Sequence, residues 1–175
     1  LDQTWIYDPV PDFTYGFNVY LEYKNFDFTA FFQGVQGVDI ISDLKKETDI
    51  WAGLNIGNLN KGHRLLNAWC VDNPSSNIPA VTLSDNNNEK RVSTYWVENG
   101  SYLKLRTIQL GYNLPQNIVS KLSMQRLRMY VSAQNLFTIK SSSFTGVDPE
   151  NPNYGYPIPL NITFGLNAVS YTHLT

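Results

Sequence analysis

Apolar and polar residues alternate along two neighbouring stretches near the start of the chain, residues 13–23 and 26–36. A period of two is typical of β-strands, because successive side chains point to opposite faces of a sheet. Lys24-Asn25 separates the two stretches, so we expect a hairpin of two strands, each about ten residues long. In the first strand the apolar side of the pattern consists of Phe13, Tyr15, Phe17, Val19, Leu21 and Tyr23.

Three further strands are predicted at about 101–113, 125–137 and 158–168. The apolar positions of the first of these change parity, from Leu103 and Leu105 to Ile108 and Leu110. A β-bulge, or a change from loop packing to lipid contact along the strand, would account for this switch.

The connections between the predicted strands alternate in length. Residues 24–25 and 114–124 form short connections, whereas 37–100 and 138–157 form long excursions, with helical segments expected at about 41–49 and 61–70. Outer-membrane β-barrels have short periplasmic turns and longer extracellular loops. The pattern therefore predicts an all-β fold of antiparallel transmembrane strands whose long loops are extracellular. Five strands cannot close a barrel, so we expect this chain to be a piece of a larger one.

Composition agrees with a barrel and argues against several other classes of protein. Of the 175 residues, 16% are charged and 14% are aromatic, and the aromatic share suits the girdles of a membrane barrel. The net charge of −2 gives no basic surface for nucleic acid. One cysteine and two histidines give little support for a metal site. No nucleophile-elbow, zinc-protease or P-loop motif is present, so we expect neither an enzyme nor a cofactor.

The polar positions of the predicted strands would line the lumen of such a barrel. They are Asn18, Glu22, Asp27, Gln33, Arg128, Tyr130, Gln134 and Asn167. These side chains would contact material inside the barrel, or hydrate the wall and bond to one another. Trp51, Trp69 and Trp96 lie in or near the first long excursion, where they would stack on a sugar, contact a lid protein, or pack the loop itself.

An ordered set of short motifs identifies a family. The chain resembles the C-terminal part of the SusC/RagA family, the TonB-dependent outer-membrane transporters of Bacteroidetes. The matching stretches are P-D-F-T-Y-G-F (11–17), L-E-Y-K-N-F-D-F (21–28), F-F-Q-G-V-Q-G (31–37), N-P-S-S-N-I-P (73–79), E-N-G-S-Y-L-K-L-R (98–106), I-Q-L-G-Y-N-L-P (108–115), L-R-M-Y-V-S-A-Q-N-L-F-T (127–138), G-V-D-P-E (146–150) and I-T-F-G-L-N (162–167).

The resemblance implies import of glycans or oligopeptides across the cell outer membrane. In this family a barrel of about 22 strands encloses an N-terminal plug, and a SusD-like surface lipoprotein covers it. TonB supplies energy through a region N-terminal to the part that this chain resembles. Residues 1–168 would then be a C-terminal piece of the barrel, whereas 169–175 do not resemble the family, which usually ends in an aromatic residue.

One alternative belongs to another class of protein: a secreted or surface β-sandwich that binds carbohydrate. It too has alternating strands and exposed aromatic residues, but it buries the apolar faces between two sheets. Sandwich strands are usually about five or six residues long, so the length of the strands predicted here favours the barrel.

Overall fold

The computed structural model describes residues 4–49, 61–82, 91–152 and 156–170. Within these ranges the α-helices are α1 (Asp43–Asp49) and α2 (Gln116–Val119), and short 3₁₀ turns lie at His63–Asn67, Thr94–Trp96 and Ser120–Leu122. The strands are β1 (Phe13–Tyr23), β2 (Phe26–Gln36), β3 (Asp39–Ile41), β4 (Val97–Asn99), β5 (Tyr102–Asn113), β6 (Met124–Lys140) and β7 (Asn161–Ser170). None of the helices in these ranges has the length and apolar character needed to cross a membrane.

The chain divides into two compact units, and the first, the sheet unit, consists of residues 13–36, 102–140 and 158–170. Its strands form one antiparallel sheet in the order β1-β2-β5-β6-β7. The predicted all-β, antiparallel architecture is confirmed. The bounds of β1 and β2 are those predicted, whereas β6 continues to Lys140 and β7 runs from Asn161 to Ser170.

A bulge in β5 explains the parity switch seen in its sequence. Against β2, Leu105 pairs with Phe32 and Thr107 pairs with Phe31, so Arg106 is an extra residue. The pairing of β5 with β6 shifts at the same place, between Leu105 and Thr107. On β6 this shift coincides with Asn135, which has a φ of 57°. Asparagine tolerates this left-handed conformation better than most residues. The bulge allows Leu103 and Leu105 to share a face with Ile108 and Leu110, as the sequence pattern required.

The second unit, the loop unit, contains residues 4–12, 37–49, 61–82, 91–101, 141–152 and 156–157. Its strands β3 and β4 form a short antiparallel ladder, and α1 follows β3 directly. Trp96 is 1% exposed and packs against Ile41 and Tyr95, which form the core of this unit.

The two helical segments expected in the first excursion have different outcomes. The first is present as α1, but within 61–70 only the 3₁₀ turn His63–Asn67 forms. The turn ends at Ala68, whose backbone is extended, and the backbone N–H of Trp69 then donates to the carbonyl of Ile78 at 2.9 Å. The β3–β4 ladder was not predicted, since three-residue strands carry too few alternations to be recognised.

Candidate functional site

The register of the sheet unit separates two faces with opposite chemistry. Residues directly opposite one another in an antiparallel pair lie on the same face. One row across the sheet is Leu21, Phe28, Leu110, Val131 and Phe164. The neighbouring row, on the other face, is Glu22, Asp27, Gly111, Tyr130 and Gly165.

All eight residues predicted to line the lumen lie on the face of the second row, which we call the polar face. Alternation along β1 and β2 places Asn18 with Glu22, and Gln33 with Asp27. In β6, Arg128 and Gln134 alternate with apolar positions, and Asn167 is paired with Arg128. That this face borders a lumen remains a prediction.

An ion pair crosses the polar face between two strands that are not neighbours. Arg128 on β6 donates from Nε to Oδ2 of Asp27 on β2 at 2.8 Å, and its Nη2 donates to Oδ1. Strand β5 lies between them, and the side chains meet over Gly111, where an added Cβ would collide with both. The two side chains are only 13% and 11% exposed. Asn113 contacts the same carboxylate at 3.5 Å, so the carboxylate charge is well compensated.

Tyr130 extends this arrangement to the last strand. The Arg128 guanidinium lies 5.3 Å from the centre of the Tyr130 ring. That ring in turn covers Gly165 on β7, where a Cβ would collide with it. Long polar side chains therefore lie flat against β5, β6 and β7 instead of standing away from the sheet.

Residues that lie on the polar face and were missed by the sequence analysis include Arg106, Tyr20 and Phe31. Arg106, brought there by the bulge, donates to Gln33 at 2.8 Å, and Tyr20 donates to Glu22 at 3.0 Å. Phe31 is opposite Asn18 in the register. The face of Tyr20 could have been predicted, because Tyr20 lies midway between Asn18 and Glu22 in the alternation of β1. The face of Arg106 could not, because it depends on the bulge.

The apolar face carries aromatic and aliphatic side chains across all five strands. Phe17 stacks on Phe32 with ring centres 4.6 Å apart, and Phe26 contacts Tyr112 at 4.7 Å. Phe164 is 80% exposed, far from the burial that two packed sheets would give. The β-sandwich alternative is therefore disfavoured.

The three tryptophans considered from sequence have different surroundings. Trp51 lies outside the described residues. Trp69 is half-exposed in the loop unit, so its ring is accessible to a ligand or a partner. Trp96 is buried, and its indole N–H donates to the carbonyl of Arg91 at 3.0 Å. For Trp96, burial favours loop packing over contact with a ligand.

Ionisable side chains are concentrated around α1 in the loop unit. Asp49 accepts hydrogen bonds from Arg64 Nε at 2.7 Å and from the Tyr95 hydroxyl at 2.5 Å. Burial, together with the bond to Asp49, raises the pKa of Tyr95 well above its ordinary value. Burial lowers the pKa of Lys45, and the nearby Glu98 carboxylate opposes that shift. This cluster stabilises the loop unit, and among the described residues no group of His, Cys, Asp and Glu is arranged to hold a metal ion.

Comparisons with known proteins point to one family. A TonB-dependent receptor of Formosa agariphila is 37% identical over 182 residues, which cover 95% of this chain and 17% of the receptor. A second TonB-dependent receptor of that organism is 31% identical over 91% of this chain and 17% of its own length. The chain thus spans about a sixth of the length of these relatives. No family model matches the chain.

Solved structures that resemble this chain are consistent with the relatives found by sequence. The RagAB peptide importer in its "open-open" state matches with a TM-score of 0.76 and 28% identity, over 94% of this chain and 18% of that one. In its "closed-closed" state the TM-score is 0.75 with 27% identity, over 93% and 18% of the two chains. The relatives, the strand order and the two-faced sheet lead to one conclusion: this chain belongs to the TonB-dependent receptors of the SusC/RagA type.

Proposed function

We propose that this chain forms part of the barrel wall and outer loops of an importer in the cell outer membrane. The observation that carries the proposal is the separation of the two faces of the sheet unit over five long strands. An apolar row such as Leu110, Val131 and Phe164 suits contact with acyl chains, and the polar face suits a hydrated lumen.

The length of the strands supports a membrane-spanning role. Strands β1 and β2 contain 11 residues each, and β5 contains 12. About ten residues at about 3.3 Å each, tilted by about 40°, rise roughly 25 Å, which matches the apolar band of an outer-membrane barrel. Tyr23 and Phe26 lie where the sheet meets the short turn and suit an aromatic girdle at one interface.

The orientation follows from the lengths of the connections. The short ones, at Lys24-Asn25 and 114–123, would be periplasmic, and the long excursions of the loop unit would be extracellular. Asp27 and Arg128 would then lie near the periplasmic end of the wall. Because they neutralise each other, they would present a surface without net charge to whatever passes.

Substrate and partners are proposed by analogy with the solved relative. RagAB is described as a peptide transporter and peptide importer, which supports oligopeptides, with glycans as the second class, as the substrate of the whole receptor. A SusD-like surface lipoprotein would cover the extracellular side, with the half-exposed Trp69 as a candidate contact. TonB would supply energy through a region outside this chain. The chain matches the two RagAB states almost equally, which supports a wall segment whose fold both states share.

Deleting the gene of the complete receptor and measuring growth on single oligopeptides or single glycans tests this function. We expect slower growth on one class of nutrient, restored by the complete gene, with growth on free amino acids and monosaccharides unchanged. Equal growth of the deletion strain and its parent on every oligopeptide and glycan would contradict the proposal. Complementation with a receptor whose TonB-contacting region has been removed serves as the control and should not restore growth.

A further inference from the structure

We infer that Glu98, Lys45 and Thr145 form a buried latch that makes the two long excursions of the loop unit move as one body. Glu98 lies on β4 and Lys45 on α1, both within the first excursion, whereas Thr145 lies in the second. The inference concerns the coupling of the excursions and is independent of which nutrient is imported.

The two excursions meet at the Glu98 carboxylate. Its Oε2 accepts the backbone N–H of Thr145 at 3.0 Å, and its Oε1 accepts the Thr145 hydroxyl at 2.7 Å. Glu98 is only 3% exposed, so water cannot readily replace either bond. The second excursion thus supplies two of the donors that make a buried charge tolerable.

The first excursion supplies the opposing charge. Lys45 Nζ lies 3.6 Å from Glu98 Oε1, and it also donates to the backbone carbonyl of Tyr95 at 2.5 Å. The same ammonium lies 4.2 Å from the centre of the Tyr95 ring, which limits its freedom to move elsewhere. Helix α1, the segment around Tyr95 and β4 are therefore fixed around one carboxylate.

Further contacts hold the second excursion at the same place. The backbone N–H of Ser141 donates to the carbonyl of Ser101 at 3.1 Å, and the hydroxyls of Ser42 and Thr145 lie 3.4 Å apart. Phe144, between these two anchors, is buried. Residues 141–145 are thus attached at both ends.

The physical reason for coupling is the burial of the charge. Pulling Thr145 away would leave the Glu98 carboxylate with fewer donors inside a water-poor site, and moving Lys45 away would leave it uncompensated. Either movement is therefore opposed by the free-energy cost of leaving the buried Glu98 carboxylate without its partners. A partner that binds one excursion would consequently engage both.

Hydrogen–deuterium exchange on the full-length receptor in detergent tests the latch. The exchange rate is followed in peptides covering 43–49 and 141–148. We expect Thr145→Val to accelerate exchange in 43–49, and Lys45→Met to accelerate it in 141–148, each about tenfold. Glu98→Gln should accelerate exchange in both. A contact with only local effect would change exchange only in the segment that carries the substitution.

Two controls make the result decisive. Asp43→Asn removes the exposed ion pair between Asp43 and Lys46 on the same helix and should leave 141–148 unchanged. Peptides from β5 and β6 report whether each variant retains its folded barrel, and only variants with unchanged exchange there are compared. If Thr145→Val and Lys45→Met each affect only their own excursion, or neither, the latch is refuted.

Discussion

Arg128 on β6 donates to both carboxylate oxygens of Asp27 on β2, although β5 separates the two strands. Cross-strand pairs usually join neighbouring strands. This one is possible because Gly111 leaves the surface of β5 open at the crossing point. The pair therefore ties three strands of the wall together through side chains, in addition to their backbone ladders.

Removing the guanidinium should destabilise the receptor. Arg128→Gln leaves a carboxylate that is 11% exposed without its ionic partner, and we expect a loss of about 2–3 kcal/mol in the free energy of unfolding. Urea denaturation of the full-length receptor in liposomes, followed by tryptophan fluorescence, measures it. Arg126→Gln is the matched control, because Arg126 is exposed and its guanidinium donates to the neutral side chain of Asn113. Equal losses for the two variants would contradict a special role for Arg128.

A methyl group at position 111 should have a similar effect. Gly111→Ala places a Cβ against Asp27 and Arg128, so the pair must separate or the strand must shift, at about 1–3 kcal/mol. Gly16→Ala, also on the polar face, is the control. An added Cβ there would lie 3.2 Å from a ring carbon of Phe31 and 3.3 Å from the carbonyl oxygen of Phe32, so it needs smaller shifts than at position 111 and we expect a smaller loss. The same urea denaturation compares the two. In the Gly111→Ala background, Arg128→Gln should cost less than in the parent; an unchanged cost would show that the pair survives the added methyl.

The sheet unit was predictable from sequence because its information is local. Alternation over ten or more residues identifies a strand and its faces. The parity switch between Leu105 and Ile108 indicated either a bulge or a change in packing along the strand, and the register shows the bulge. The contact between Asp27 and Arg128 was not predictable, since the residues are 101 positions apart and meet across an intervening strand. The sequence feature that hints at this contact is Gly111, because a glycine inside a strand often marks a place where another group approaches the backbone closely.

The loop unit was largely beyond sequence reasoning for the opposite reason. Its organising residue, Glu98, belongs to a three-residue strand, and its donor Thr145 lies 47 positions away. Trp96 was a candidate for contact with a sugar or a lid protein because its ring is aromatic, but its residue type does not distinguish a buried core position from an exposed one. Here the fold depends on contacts between distant segments rather than on periodicity.

The Tyr95 hydroxyl should make the stability of the loop unit depend on alkaline pH. Its pKa in the folded protein is raised above the ordinary 10.0, so the folded state binds more protons than the unfolded state above that pH. Stabilisation is therefore fully present below about pH 10 and is lost as pH rises through the higher folded value. Absorbance titration of the full-length receptor and of Tyr95→Phe, taken as a difference, should show Tyr95 ionising later than free tyrosine.

Exchange in 43–49 provides the second readout for Tyr95. The protection of 43–49 that the parent has in excess of Tyr95→Phe should shrink above pH 10. The reason is that the Tyr95 hydroxyl ionises at lower pH in the open state than in the folded state, where it donates to Asp49. Tyr156→Phe is a suitable control, since Tyr156 is 96% exposed. A difference titration in which Tyr95 ionises together with free tyrosine would contradict the expected shift.

Two adjacent positions on β6 test which face of the sheet meets lipid. Val131 is paired with Phe164 on the apolar face, and Ser132 is paired with Thr163 on the polar face. A lysine on the lipid side near the middle of the bilayer costs about 2–4 kcal/mol, whereas one facing water inside the barrel costs far less. We therefore expect Val131→Lys to lower the urea midpoint of the full-length receptor in liposomes and to reduce the folded fraction in the outer membrane. Ser132→Lys should leave both close to the parent values, because its ammonium can reach water.

The two positions serve as controls for each other, because they are adjacent on one strand and both are partly buried. A difference between the two lysine variants therefore reports which face of the sheet carries the charge. A larger loss for Ser132→Lys than for Val131→Lys would reverse the assignment of the faces, and with it the proposal that the polar face lines the passage.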